Sequence, residues 1–207
     1  FGKDVERELN EQEASRLQKN LSHYLNCGLG DIQDFESSKL TFLARLKHIM
    51  SGNTGISWST CEYLIALFNK NIAPIIPQNG SLGASGDLVT MASLSQMCFD
   101  KETECWVNGN LSTLGQSISF NPPGLKGRDS LCLMNGLSNS ASLACINFES
   151  LKKLLDYATV SIAVSKFSLC SGFSTEDQKL NAPPTREFSG QEKLADTFRV
   201  LAKDNRK

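Results

Sequence analysis

The sequence predicts a mainly α-helical bundle, and three observations predict it. Apolar residues recur at helical spacing through most of the chain, a long apolar segment over residues 136–170 carries few breakers, and glycine, proline, serine and asparagine concentrate in three stretches between the periodic ones. With 207 residues, 40% of them apolar and 21% charged, there is enough chain for one ordinary domain with its own core. Neither an internal repeat nor a domain boundary is visible, so residues 1–207 read as a single domain.

Taken in order, Phe35, Phe42, Leu43, Leu46, Ile49 and Met50 share one face of a first predicted helix, and Cys61, Leu64, Ile65 and Phe68 share one face of a second. Ser59-Thr60-Cys61-Glu62 fits a capping box, in which the serine accepts a backbone N–H and the glutamate reaches back to the serine's own, so this helix should start near Ser59. Residues 136–170 alternate small and large apolar side chains, which suits one or two long bundle helices with Leu151, Leu154, Leu155 and Ile162 facing inward. Leu194, Ala195, Phe198 and Leu201 predict a last helix over residues 191–202. Residues 74–86, 108–127 and 172–190 hold the breakers and are expected as loops or short hairpins.

The formal net charge of −1, with both signs mixed along the chain, gives no basic stripe for a phosphate backbone and no cationic cluster for a lipid surface. Nucleic acid and membrane are therefore not expected as partners. No apolar stretch approaches the roughly 20 residues of a spanning helix, and the polar, acidic first dozen residues do not resemble a signal peptide, so a cytoplasmic protein is expected. The seven cysteines (Cys27, Cys61, Cys98, Cys105, Cys132, Cys145 and Cys170) are odd in number, never spaced C-x-x-C and mostly set in apolar runs. They read as reduced core fillers rather than as disulfides or metal ligands, and no metal site is expected. Phe1 stands where a methionine would, and the chain closes on the charged run 203–207, so either end is a candidate cut.

The run Asn79-Gly80-Ser81-Leu82-Gly83-Ala84-Ser85-Gly86-Asp87-Leu88 is a glycine-dense turn followed at once by the helical pattern Leu88, Met91, Leu94, Cys98. By composition alone it is a loop whose Asp87 carboxylate caps the following helix and favours the positive end of its dipole. A phosphate cradle fits less well, because the lysine of G-x-x-x-x-G-K-[ST] is absent and no strand clearly precedes the loop. A serine-hydrolase elbow fails: Gly83-Ala84-Ser85-Gly86 is not G-x-S-x-G, and the two histidines, His23 and His48, have no obvious acidic partner.

The same run resembles, throughout, the signature G-S-x-G-A-S-G-D-L of the histidine and aromatic amino-acid ammonia-lyase and aminomutase family. The likeness covers essentially the whole chain, from Phe1-Gly2, similar to the end of a Y-G-x-x-T-G-F-G loop, to Gly190-Gln191, similar to H-P-G-Q. It implies a helical bundle of the ammonia-lyase, fumarase/aspartase-like type, with residues 1–207 a partial domain of a longer enzyme. It also implies a prosthetic group made from the chain: the Gly86 amide nitrogen attacks the Ala84 carbonyl, and loss of two waters, one from the Ser85 side chain, leaves 4-methylidene-imidazol-5-one (MIO), with no external cofactor. The residue types suit that chemistry, since serine supplies the leaving hydroxyl and glycine removes the side chain that would block a backbone self-attack. A helix N-terminus beside the group would stabilise the negative charge that develops there. Asp87 is expected to support the loop and its cyclisation.

Two further stretches resemble substrate-contacting segments of the family. Tyr24-Leu25, after Leu17-Gln18-Lys19-Asn20-Leu21, looks like the pair that meets the substrate side chain, where histidine lyases carry Ser-His and plant phenylalanine lyases Phe-Leu. Leu25 offers an apolar wall and no partner for an imidazole, which favours an aromatic substrate; the alternative is that both residues simply pack in a helix. Asn135-Gly136 resembles the N-G of K-E-G-L-A-L-x-N-G-T, whose asparagine helps hold substrate and prosthetic group. The pattern departs at Lys47, Thr90, Arg128, Asp129, Ser130 and Leu137, where asparagine, proline, Lys-Glu-Gly and threonine are usual.

The resemblance thus implies an enzyme that eliminates ammonia from an aromatic α-amino acid, phenylalanine or tyrosine, to give a cinnamate. Histidine ammonia-lyase and 2,3-aminomutase are the alternatives within the family, and a non-catalytic helical scaffold derived from it is the alternative outside enzymology. The family's tyrosine base would fall just before Phe1 and further site residues beyond Lys207, and its sites are assembled in homotetramers. The chain by itself is expected to be inactive.

Overall fold

The computed structural model describes residues 8–169 and 176–204; Phe1-Gly2 and Cys170, singled out above, lie outside them. The described chain is mainly helical, as expected, and falls into two compact units, residues 1–146 and 147–207.

In the first unit, α1 (Glu11–Leu25) starts where Asn10 accepts the Glu13 N–H at 2.9 Å, with Glu11 and Glu13 in the first turn to suit the helix dipole. Strand β1 (Leu29–Ile32) follows, then α2 (Phe35–Met50), capped by Asp34 through the Ser37 N–H at 2.7 Å and closed by Lys47 and His48. Phe42, Leu46 and Ile49 are buried as expected, but Leu43 and Met50 are exposed, because the buried stripe of α2 is narrower than its apolar sequence.

Helix α3 (Trp58–Asn69) begins near the expected place without the capping box. Its N-cap is Ser57, whose N–H and hydroxyl donate instead to the Asp129 carboxylate at 2.8 and 2.7 Å, joined there by the Thr60 hydroxyl at 2.9 Å and the Lys126 N–H at 3.0 Å. A buried acceptor that offers four bonds outcompetes a local box.

The breaker-rich stretches hold short strands and a hairpin as well as loops. Strands β2 (Ile72–Pro74) and β3 (Pro77–Asn79) flank residues 75–76, and helix α4 (Leu88–Gln96) follows the glycine-dense run. Strands β4 (Glu104–Val107) and β5 (Asn110–Thr113) form a hairpin whose turn residues Asn108 and Gly109 have φ of +50° and +83°, as a two-residue type I′ turn needs. β3 pairs antiparallel with β1, and β2-β4-β5 form a three-stranded antiparallel sheet. Short helices α5 (Leu114–Ser117) and α6 (Asp129–Met134) precede α7 (Ser138–Ser168).

The core joins Phe42, Leu64, Met91, Leu94, Met97 and Leu133 from α2, α3, α4 and α6. The hydroxyl of Ser22 on α1 lies 2.7 Å from that of Ser95 and 2.8 Å from that of Ser130, a buried serine node that ties α1, α4 and α6 together. Cys61, Cys98 and Cys105 are buried as core fillers, whereas Cys27, between Asn26 and Gly28, and Cys145, despite its neighbours Ala144 and Ile146, are exposed.

The second unit contains the C-terminal part of α7, the short α8 (Gln178–Asn181) and α9 (Ser189–Asp204). Lys166 pairs with Glu176, the Arg199 Nη1–H donates to the Glu176 carbonyl at 2.5 Å, and Gln191 donates to Asn181 at 3.0 Å. Leu151, Leu154, Leu155 and Ile162 are exposed rather than inward-facing, so α7 carries apolar side chains on its open faces among the described residues.

Candidate active site

Residues 80–87 leave β3 and enter α4, so the Ala84-Ser85-Gly86 triad stands at a helix N-terminus with Ala84 and Ser85 exposed. Gly86 has a φ of +97°, and a Cβ there would fall 2.7 and 2.8 Å from the backbone nitrogen and oxygen of Gly136 and 3.1 Å from Asn135 Oδ1. Only glycine fits, by conformation and by space. The structure therefore brings the triad and Asn135 together, although 49 positions separate Gly86 from Asn135 in the chain. No described residue accepts a hydrogen bond from the Gly86 N–H, so its nitrogen is left available. The Asp87 N–H donates to the Gly136 carbonyl at 2.6 Å and locks the loop to the turn after α6.

Asp87 is the N-cap of α4 but its carboxylate caps elsewhere. It is fully buried and accepts the Ser140 N–H at 2.8 Å and the Ser140 hydroxyl at 2.7 Å, in the first turn of α7. The residue before α7 is Leu137, which has no side-chain oxygen, so Asp87 supplies from across the site the acceptor that the helix lacks. The Ser81 hydroxyl completes the loop, 3.4 Å from Asp87 Oδ1 and accepting the Gly83 N–H at 3.3 Å.

Arg45 of α2, fully buried, donates from Nη1 to the Asn135 carbonyl at 3.0 Å. Burial pushes its pKa down, opposed by the charges of Asp87 and Cys132. Of these contacts, Arg45 and Ser140 were not singled out by the sequence, and Gly136 and Ser81 appeared only as parts of matched motifs. A signal existed for Arg45: it is a lone cation on the helical stripe Phe42, Leu46, Ile49.

Tyr24 and Leu25 close α1 and precede β1, whose partner β3 leads into the triad loop. Leu25 packs against the core, and Tyr24, 78% exposed, lines a groove of about 320 Å³ with Leu17, Leu21 and Gly127 that none of residues 84–87 enters. Departures from the family pattern are absorbed locally: the Thr90 hydroxyl bonds the Asp87 carbonyl at 3.0 Å, the Ser130 N–H donates to Gln18 Oε1 at 2.9 Å, and Lys47 is exposed. Among the described residues no cluster of His, Cys, Asp and Glu could hold a metal, and no helix is long and apolar enough to cross a membrane.

This fold, with its glycine loop set on an Asn-Gly turn, is that of the ammonia-lyase and aminomutase enzymes: phenylalanine aminomutase of Pantoea agglomerans superposes with a TM-score of 0.84 over 96% of this chain and 38% of its own, at 26% identity. The chain belongs to the aromatic amino acid lyase family, whose model matches residues 1–206. Over its whole length it is 28% identical to a histidine ammonia-lyase of Symbiobacterium thermophilum, and over 97% of its length 30% identical to a tyrosine ammonia-lyase of Cereibacter sphaeroides. It spans 41% and 38% of the length of these two relatives.

Proposed function

We propose that this chain is the electrophile-bearing part of a longer ammonia-lyase, a partial domain of it, that eliminates ammonia from phenylalanine or tyrosine. One observation carries the reading: Gly86 is pressed onto Asn135 and Gly136 so closely that no side chain fits, in a loop whose Gly86 N–H is unengaged. In the cyclisation this arrangement suits, the Gly86 nitrogen forms a bond to the Ala84 carbonyl carbon, that oxygen leaves as one water with the Gly86 and Ser85 amide hydrogens as a C=N bond forms to the Ser85 nitrogen, and the Ser85 hydroxyl leaves with the Ser85 α-hydrogen as a second. The finished MIO group supplies an electrophilic carbon to the substrate.

The chain's own residues do the remaining work. Asp87 anchors the loop to Ser140, the free N–H groups of α4 favour negative charge at the triad, and Asn135 holds substrate and ring through its amide. Tyr24 and Leu25 are proposed to meet the aromatic side chain, Leu25 as an apolar wall. Exposed apolar residues on α7 support assembly into a homotetramer, and a cytoplasmic setting is proposed with it. The similarity to a protein named histidine ammonia-lyase supports histidine as the second substrate reading.

Turnover tests the proposal. The full-length protein containing this chain, given phenylalanine, tyrosine or histidine, should release ammonia and an absorbing conjugated acid from one of them, and Ser85→Ala should abolish both. Release of a β-amino acid would make it an aminomutase; no product from any of the three would leave a helical scaffold.

A further inference from the structure

Arg45 is a buried cation whose hydrogen bonds the fold only partly satisfies. Its side chain is fully buried in α2 and Nη1 donates to the Asn135 carbonyl at 3.0 Å, while Nε and Nη2 have no hydrogen-bond partner among the described residues. A buried guanidinium with unmade bonds costs stability, and an apolar residue on the Phe42, Leu46, Ile49 stripe would pack there without that cost. Its surroundings say where the charge acts. A Cβ on Gly136 would stand 2.6 Å from Arg45 Nη2, 2.8 Å from Nη1 and 3.1 Å from Cζ, so the guanidinium turns its Nη1–Nη2 edge to the Asn135–Gly136 turn. The other side of that turn meets the triad, through the Gly86 contact and the 2.6 Å bond from the Asp87 N–H to the Gly136 carbonyl.

We propose that Arg45 is a positioning residue for cyclisation of the triad: by clamping the Asn135 carbonyl it fixes the turn that sets the Gly86 nitrogen against the Ala84 carbonyl. This rests on the electrophile reading of Ala84-Ser85-Gly86. Arg45 takes no part in the bond changes, which remain those of the ring closure and loss of two waters. Its effect passes through a single rigid turn, and slackening that turn lets the attacking nitrogen drift from its target.

The test is the intact mass of the full chain with time after synthesis, for wild type, Arg45→Gln and Arg45→Lys, alongside far-ultraviolet circular dichroism. Wild type should lose two waters, about 36 Da. Arg45→Gln, which keeps polarity but neither charge nor fork, should fold and lose them about 100-fold more slowly, the scale on which ångström misplacement of reacting groups acts. Arg45→Lys should fall between. A folded Arg45→Gln that dehydrates at the wild-type rate overturns the proposal. Should Arg45→Gln fail to fold, Arg45→Lys decides: slowed dehydration in a folded protein supports the role and an unchanged rate overturns it. A wild-type chain that never loses the two waters overturns the electrophile reading itself, a different failure from an insensitive Arg45.

Discussion

Gly86 and Asp87 show how much of the site lies in single residues. At Gly86 a side chain would need both a positive φ and room that Asn135 and Gly136 already fill. Gly86→Ala should therefore block the dehydration and cost about 1–3 kcal/mol of stability, read from urea denaturation. Asp87→Ala removes a fully buried carboxylate and leaves the Ser140 N–H and hydroxyl without acceptors, at a cost of about 2–3 kcal/mol. The glycine-dense loop ahead of α4 was legible in the sequence because its signal is local, and the proposed chemistry, a serine to dehydrate and a glycine to close the ring, is read from the same few residues. Arg45 was not, since its meaning depends on a turn 90 residues away in the chain. Asp87 was half legible: its place at the start of α4 could be read, but the helix that its side chain caps is α7.

The helices were legible as elements, with the buried face read correctly in α3 and misread along α7, whose Leu151, Leu154, Leu155 and Ile162 are exposed. The capping box at Ser59 failed for a tertiary reason, the competing Asp129 carboxylate. Short elements such as α6 and the β1–β3 pair gave no periodic signal of their own; they form because long-range partners, Gln18 for Ser130 and Asn79 for Leu29, receive them. The layer of α3, α4 and β4 also sets a pH limit. Burial pushes the Cys105 thiol from its ordinary 9.0 up to about 11, and raises Tyr63 and Cys98 as well. The folded state thus holds these protons more tightly than the unfolded chain. The Cys105 part of this stability is complete below pH 9.0 and lost as pH climbs to about 11, so denaturation midpoints should fall across that window, less steeply in Cys105→Ala.

For the molecule as a whole, α7 exposes Phe148, Leu151, Leu154, Leu155 and Tyr157, an apolar surface larger than scattered surface residues explain. The proposed homo-oligomer would cover it, and sedimentation should show association that Leu151→Glu with Leu155→Glu weakens while circular dichroism stays unchanged. Family membership and helical fold rest on the whole chain; the chemistry rests on three residues. The intact mass of the purified chain beside its Ser85→Ala variant tests that chemistry most directly. A deficit of two waters, about 36 Da, is expected in the wild type, mapped to the peptide carrying residues 84–86 and absent from the variant. An unmodified wild-type mass, or a deficit that persists without the Ser85 hydroxyl, would contradict it.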